Sequence, residues 1–476
     1  MVRLFHMIKY SMLTWRLGCL LRIVQTWWNY LTKGRHDKRI PYDPTYLSAA
    51  FSLDDPLIHQ LDACRKADRQ CAFILLNIEH YSQRLYPGHY EQLAIVEQRI
   101  YQEIEQILPN YFAPESILGL RHFHGQEYGI FAQFADAVSY QDLQHRIDQL
   151  RQQLEERLRL ADDLVVDGAL TFGAGFYVFE KDPIGTKLAI SVAYYYAHMI
   201  AEKRLSAGFS QSRQELMDIL NNESVHVLAQ PIMDLHSGEI FGWEILSRGP
   251  KDTPYYRPLE LFDFAHQADL LCALELMVVK KAFREIAERA IREQVFLNVT
   301  SVSLGQSKFY DDLVSYINAN AHFNPQQIIF EITERYSIRD FREMANMMAK
   351  YRKLGFRFAI DDAGAGFASL QSISELIPDM IKIDRSIIQD IDRGKVKESM
   401  LKAVMQFADD IECLVIAEGI ERQEEAEVLY RHSVTKVQGY YYAKPSPLHH
   451  DGSNLVQINE IREKIRLDAR SKNKLA

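Results

Sequence analysis

From Ser224 onward, short apolar runs alternate with longer stretches of helical spacing, eight times over. The runs are HVLAQPIM, IFGWEIL, VFLNV, IIFEI, FRFAID, MIKID, CLVIAEGI and KVQGYY. Such a pattern has few folded solutions. Each strand must be buried, each helix must cover it, and eight repeats close into a (β/α)8 TIM-like barrel. The first two runs are joined only by the turn LHSGE. They read as a hairpin, so the first strands are expected not to be all parallel.

The polar residues at the carboxyl ends of these runs are Glu244, Asn298, Glu331, Asp361 with Asp362, Lys382 with Asp384, Glu418 with Glu421, and Gln438. In a barrel those ends converge on one rim, where barrel active sites form. Any one of these carboxylates alone reads more readily as a cap or a salt bridge. Successive strands each delivering a polar group to one rim is hard to explain as structure, because gathered like charge is costly without cations. Carboxylates with one amide form an oxygen-ligand set, which suits Mg²⁺ or Mn²⁺. The adjacent Asp361 and Asp362 allow two ions, the usual device for hydrolysing phosphodiesters. Lys382 in the same ring could hold water or stabilise charge.

With these residues in view, the segment resembles the EAL-type cyclic di-GMP phosphodiesterases. The family's name motif stands as Glu244-Ile245-Leu246, with Ile in place of Ala. Further landmarks follow the family's order: AQPI (229–232), EILSR (244–248), LNVT (297–300), EITE (331–334), DDAGAG (361–366), IKID (381–384), AEGIE (417–421) and QGYYYAKP (438–445). The resemblance implies one metal held by Glu244, Asn298, Glu331 and Asp361, and a second by Asp361, Asp362 and Glu418. It implies that Lys382 orients the attacking water, with Glu421 and Asp384 close by. Gln230, Arg248 and Gln438 would contact the dinucleotide, Asp384 counting with them as substrate-binding, and Glu334 would anchor the loop after the aspartate pair. The implied reaction opens one phosphodiester bond of cyclic di-GMP to give linear pGpG.

Two positions depart from the family pattern. Ile245 replaces the alanine, but strand alternation points it away from the metal carboxylate. The loop after Asp361, usually DFGTG or similar, lacks its aromatic and its hydroxyl at Asp362-Ala363-Gly364-Ala365-Gly366. In the family this loop connects the metal site to the dimer interface, so regulation is put in doubt more than chemistry; a homodimer remains the expectation. The alternative function is a receptor or scaffold that binds cyclic di-GMP without cleaving it. Such receptors usually lose metal ligands or the lysine, and this chain keeps them. A general phosphatase or nuclease on the same metals is disfavoured by the order of the motifs.

Upstream, residues 46–205 read as one α/β domain, with strands at CAFILLNI (71–78), Tyr128–Phe134 and ALTFGAGFYVF (169–179). Element order and the loop His124-Gly125-Gln126-Glu127-Tyr128 resemble a degenerate GGDEF diguanylate cyclase domain with an antiparallel-containing central sheet. Asn77 stands where that family has a metal-binding Asp. Leu85 and Leu93 fall near its guanine contacts, and Glu115-Ser116-Ile117-Leu118 holds the place of its inhibitory RxxD motif. The expectation is a catalytically dead domain. Residues 206–222 read as a helical connector, 223–450 as the phosphodiesterase domain, and 451–476 as a C-terminal helix or tail.

Residues 1–45 differ from the rest. Eight Lys and Arg between Arg3 and Arg39 face one acid, Asp37, and apolar residues from Tyr10 to Leu31 recur at helical spacing. This reads equally as an amphipathic helix making peripheral membrane contact and as a helix packed on protein. The longest uncharged stretch, Ile23 to Thr32, is about half of the ~20 residues a span needs, and no small-residue cleavage site follows. A net charge of −9 argues against a nucleic-acid polymer as partner. Five scattered cysteines form neither a disulfide framework nor a zinc site. A cytoplasmic protein, membrane-associated if the helix docks, is the expectation.

Overall fold

In the 476-residue chain, side chains along each strand alternate between two environments, and that alternation builds both folded units. The computed structural model describes residues 55–447 apart from 68, 82–89, 124–125, 162–168, 180–184, 321–323, 334–337, 339 and 364–366. The N-terminal helix, the C-terminal tail, Glu334, Leu85 and Gly364–Gly366 therefore lie outside the described residues. The chain divides into two compact units, 1–210 and 211–476.

The first unit runs α1 (Pro56–Lys66), β1 (Gln70–Ile78), α2 (Tyr90–Ile107), β2 (Ile117–His122), β3 (Glu127–Phe134), α3 (Tyr140–Arg159), β4 (Phe172–Val178) and α4 (Thr186–Ala201). Its sheet has the order β2-β3-β1-β4 and is antiparallel throughout. Helices on both faces account for the mostly apolar run of β1, in which every residue after Gln70 is buried, Asn77 included. Ala72, Ile74, Leu76 and Ile78 join one core with Val96, Ile100 and Ile104 of α2 and Leu143, Ile147 and Leu150 of α3. Phe73 points to the other face and meets Phe131 and Tyr194. There α4 lies directly on β4. A Cβ at Gly175 would come within 2.0 Å of the Ala197 carbonyl oxygen, so only glycine permits this approach.

The connector expected over 206–222 contains α5 (Phe209–Asn221). The second unit continues with β5 (His226–Asp234), β6 (Ile240–Arg248), α6 (Pro258–Gln267), α7 (Leu271–Glu288), β7 (Gln294–Thr300), α8 (Ser307–Ala319), β8 (Ile328–Thr333), α9 (Phe341–Leu354), β9 (Arg357–Ala363), α10 (Phe367–Leu376), β10 (Met380–Ile383), α11 (Lys395–Asp410), β11 (Leu414–Ala417), α12 (Gln423–Arg431) and β12 (Lys436–Val437). The eight strands close into a barrel. Neighbours are parallel except around β5, which is antiparallel to both β6 and β12. The hairpin is real, and the reversal is confined to one strand.

The barrel has two cores, as period-two alternation requires. Outward residues such as Trp243, Ile245, Leu297 and Phe330 pack under the helices. Inward residues Ile232, Phe296, Ile329, Ala359, Met380 and Ile416 make a separate apolar layer inside the barrel. That layer is the floor on which the polar site rests. Among the described residues no helix is long and apolar enough to cross a membrane.

Candidate active site

Each floor residue has a polar partner two positions along its strand. Phe296 is followed by Asn298, Ile329 by Glu331, Ala359 by Asp361, Met380 by Lys382, and Ile416 by Glu418. Because β5 runs the other way, its partner is counted backwards, from Ile232 to Gln230. Cross-strand registry then places Gln230 opposite Glu244, and Asn298 beside Glu331. The fold therefore stacks one polar layer on one apolar layer.

Lys382 sits in the middle of this layer, 1% exposed. Its Nζ lies 2.5 Å from Glu418, 2.7 Å from Glu331, 3.4 Å from Asp361 and 3.7 Å from Glu244. Burial by itself would lower the lysine's pKa, but the four surrounding carboxylates hold it well above the usual range. The acids move the same way. Burial lifts Glu331 far above the carboxylate range, Glu418 to about 8, and Asp362 to about 6. Glu244 also ties the amides together, accepting from Asn298 Nδ2 at 3.0 Å and from Gln438 Nε2 at 2.6 Å. Gln438 Nε2 also reaches Gln230 Oε1, and Gln230 Nε2 donates to the Ala443 carbonyl.

The donor set fits cations. Both oxygens of Glu331 and Oδ1 of Asp361 are buried and receive no hydrogen bond, although an ammonium stands within ion-pair reach of Glu331 Oε1 and Asp361 Oδ1. Asp361, Asp362 and Glu418 each offer an oxygen within 4.8 Å of the others. Fully ionised, the five carboxylates (Glu244, Glu331, Asp361, Asp362 and Glu418) around one ammonium would leave four negative charges in a place where uncompensated charge is expensive.

Not every anticipated residue joins this ring. Glu421 pairs with Arg385 at 2.9 Å rather than with Lys382, and its carboxylate is 38% exposed. Asp384 caps the short turn Arg385–Ile388, accepting from Ser386 N–H at 2.9 Å. Arg248 stands at the end of β6 and donates to the Ser247 carbonyl. Glu334 lies outside the described residues. Sequence reasoning missed the positions that shape the loops. Gly419 (φ +70°) turns the chain after Glu418, and Glu425, 1% exposed, accepts the N–H groups of Asp390, Glu421 and Arg422. Both Glu425 and Glu275 sit among buried residues of their helices; an acid on an apolar stripe was the available signal.

Residues 213–445 match the family model of the EAL domain. The barrel unit is an EAL domain. Among curated proteins, the chain is 28% identical over 274 residues to the probable cyclic di-GMP phosphodiesterase PdeB of Escherichia coli K12, covering 57% of this chain and 51% of PdeB. It is 30% identical over 281 residues to the probable cyclic di-GMP phosphodiesterase PdeD of the same organism, covering 58% and 50%. The chain thus spans about half the length of these relatives. Among solved structures, a standalone EAL protein from Vibrio cholerae O395 in its c-di-GMP-bound form is similar, with 26% identity, a TM-score of 0.43, and coverage of 47% of this chain and 92% of that one.

Upstream of the EAL domain, Glu127 of the signature-like loop begins β3 and pairs across the sheet with Asn77 of β1. Glu127 is 4% exposed; it accepts the Tyr194 hydroxyl at 2.5 Å and meets His198 Nδ1 at 2.9 Å. Burial opposes charge on His198, but the Glu127 hydrogen bond together with the negative charges of Glu127 and Glu202 outweighs it and raises the pKa. The segment Glu115–Leu118 carries the start of β2, a strand not anticipated from the sequence.

Proposed function

We propose that this protein is a metal-dependent phosphodiesterase that opens cyclic di-GMP to linear pGpG. The observation that carries the reading is the buried ring of carboxylates around Lys382, in which Glu331 Oε2 is buried without a hydrogen bond. In this reading Glu244, Asn298, Glu331 and Asp361 hold one Mg²⁺ or Mn²⁺, and Asp361, Asp362 and Glu418 hold the other; two divalent ions would balance the four negative charges. When bound, such ions favour hydroxide over water and neutralise charge that develops on the phosphoryl oxygens. An ion held through Asn298 would be met by its carbonyl oxygen Oδ1, leaving Nδ2 to donate to Glu244. Lys382, kept protonated by its neighbours, donates to the attacking water and to developing negative charge. Glu421 and Asp384 serve at the rim. Gln230, Arg248 and Gln438 contact the dinucleotide, and Glu334 anchors the loop after Asp362. Purified protein incubated with cyclic di-GMP and Mg²⁺ or Mn²⁺ should yield pGpG by chromatography and yield none in EDTA. Unchanged substrate with both metals would sink the reading.

The upstream unit is proposed to be a degenerate GGDEF-like domain that binds no GTP and serves in regulation or dimerisation. Asn77 is an uncharged and poorer ligand for Mg²⁺ than Asp, and Glu127 is already engaged by Tyr194 and His198. Calorimetric titration of the full chain with GTP and Mg²⁺ should show no heat of binding; micromolar binding overturns this.

Two partner proposals complete the reading. The basic, tryptophan-bearing segment 1–40 is proposed to contact anionic membrane surfaces from the cytoplasmic side. A homodimer is proposed with α11 exposed to it, since Val396 and Met400 lie one turn apart at 75% and 42% exposure. Sedimentation of the full chain should give twice the monomer mass, and anionic vesicles at low salt should carry the chain down while they leave a chain lacking residues 1–40 in solution. A monomer refutes the homodimer, and a full chain that stays unbound refutes the membrane contact.

A further inference from the structure

Among the carboxylates that the EAL domain buries outside the proposed chemistry is Glu275. Glu275 lies on α7, 2% exposed, on the face that also buries Leu271, Leu274 and Val278. Its Oε1 accepts the backbone N–H of Thr300, and its Oε2 accepts the Thr300 hydroxyl, both at 3.1 Å. Thr300 is the last residue of β7, and its hydroxyl oxygen in turn caps the short helical turn Ser301–Leu304 through Ser303 N–H. The hydroxyl proton is committed to Glu275, so its oxygen is free to accept from Ser303.

A leucine would fill this place on an apolar helix face at far lower desolvation cost. Burial pushes the Glu275 carboxyl up to about 7, which marks that cost. In return α7 gains two hydrogen bonds to one residue, at the carboxyl end of the strand that carries Asn298. Asn298 stands two residues before Thr300, and it contributes the ring's amide from a strand end that must hold its register for the amide to meet Glu244.

We infer that Glu275 is a positioning residue: by clamping Thr300 to α7 it fixes the end of β7 and so the place at which Asn298 presents its amide to a divalent ion. This rests on the two-ion reading above, and groups that orient metal ligands typically change metal affinity about 10–100-fold when removed.

The test is calorimetric titration of Mn²⁺ alone into the full chain, without dinucleotide, for wild type, Glu275→Leu, Glu275→Gln, Asn298→Ala and the double variants. Glu275→Leu should weaken Mn²⁺ binding about tenfold or more. Glu275→Gln, which keeps an acceptor for the Thr300 N–H, should weaken it less. In the Asn298→Ala background neither change should weaken binding further, because the ligand they position is gone. Unchanged affinity in Glu275→Leu, or an equal loss in both backgrounds, overturns the proposal. If Glu275→Leu does not fold, the Glu275→Gln cycle decides by the same criterion. Wild type that binds Mn²⁺ but cleaves nothing refutes the hydrolase reading and leaves this proposal standing; wild type that binds no Mn²⁺ refutes both.

Discussion

Lys382→Met should lower kcat for cyclic di-GMP by about a hundredfold or more, the usual cost of losing one preorganised charge-stabilising donor, while KM changes little. The side chain is 1% exposed and touches four carboxylates, so it acts inside the ring and not on the substrate's outer surface. The same change should destabilise the metal-free protein. Methionine keeps the volume, but Glu331 and Glu418 lose their counter-charge, and breaking a buried pair typically costs about 3–5 kcal/mol. The sign of the pH dependence follows from Glu418. Its folded pKa, raised to about 8 by burial, stands above its ordinary value of 4.5. An acid raised in this way disfavours the fold when ionised, so stability is intact at low pH and falls as pH rises towards 8. In EDTA the variant's Tm should therefore drop further below wild type at pH 8 than at pH 6. Mn²⁺ should recover most of the difference, because binding to the folded state alone stabilises it. A Tm unaffected by the substitution at pH 8 in EDTA would refute this account of the ring.

Asp361→Ala should reduce turnover by at least a hundred- to a thousandfold. Asp361 is the carboxylate proposed to serve both ions. It stands beside Lys382 on one side and within 4.8 Å of ligand atoms of Asp362 and Glu418 on the other. Its loss removes a ligand from each site and leaves Lys382 with one fewer partner. Groups that act as a unit are not additive. The double variant Asp361→Ala with Glu244→Ala should therefore be hardly slower than Asp361→Ala alone, measured as kcat at saturating Mg²⁺. Independent, multiplying losses would mean that the two carboxylates do not share one metal centre. Retention of wild-type turnover by Asp361→Ala would remove the two-ion mechanism altogether.

The sequence by itself determined the barrel and the composition of its polar rim. Its strands are short apolar runs that end in Glu, Asp, Asn, Lys or Gln, and period-two alternation assigns each terminal polar residue to one face without reference to any other strand. The reversal of β5 was legible because a five-residue turn leaves room for a hairpin only. Tertiary structure alone decided which strand ends meet, since a residue's neighbours across the barrel come from strands far away in the chain. That is why the placement of Lys382 among Glu244, Glu331, Asp361 and Glu418, and the amide links from Glu244 to Asn298 and Gln438, emerged only with closure. The partners of Glu421 and Asp384 also depended on a local turn, which draws them to Arg385 and Ser386. The strand Ile117–His122 escaped notice because only Leu120 in it is buried, so it lacks the apolar contrast that marks a central strand. Glu275 escaped for the opposite reason. Local spacing places it on a buried helix face, but its partner, Thr300, is on a strand that only the packing of α7 brings alongside.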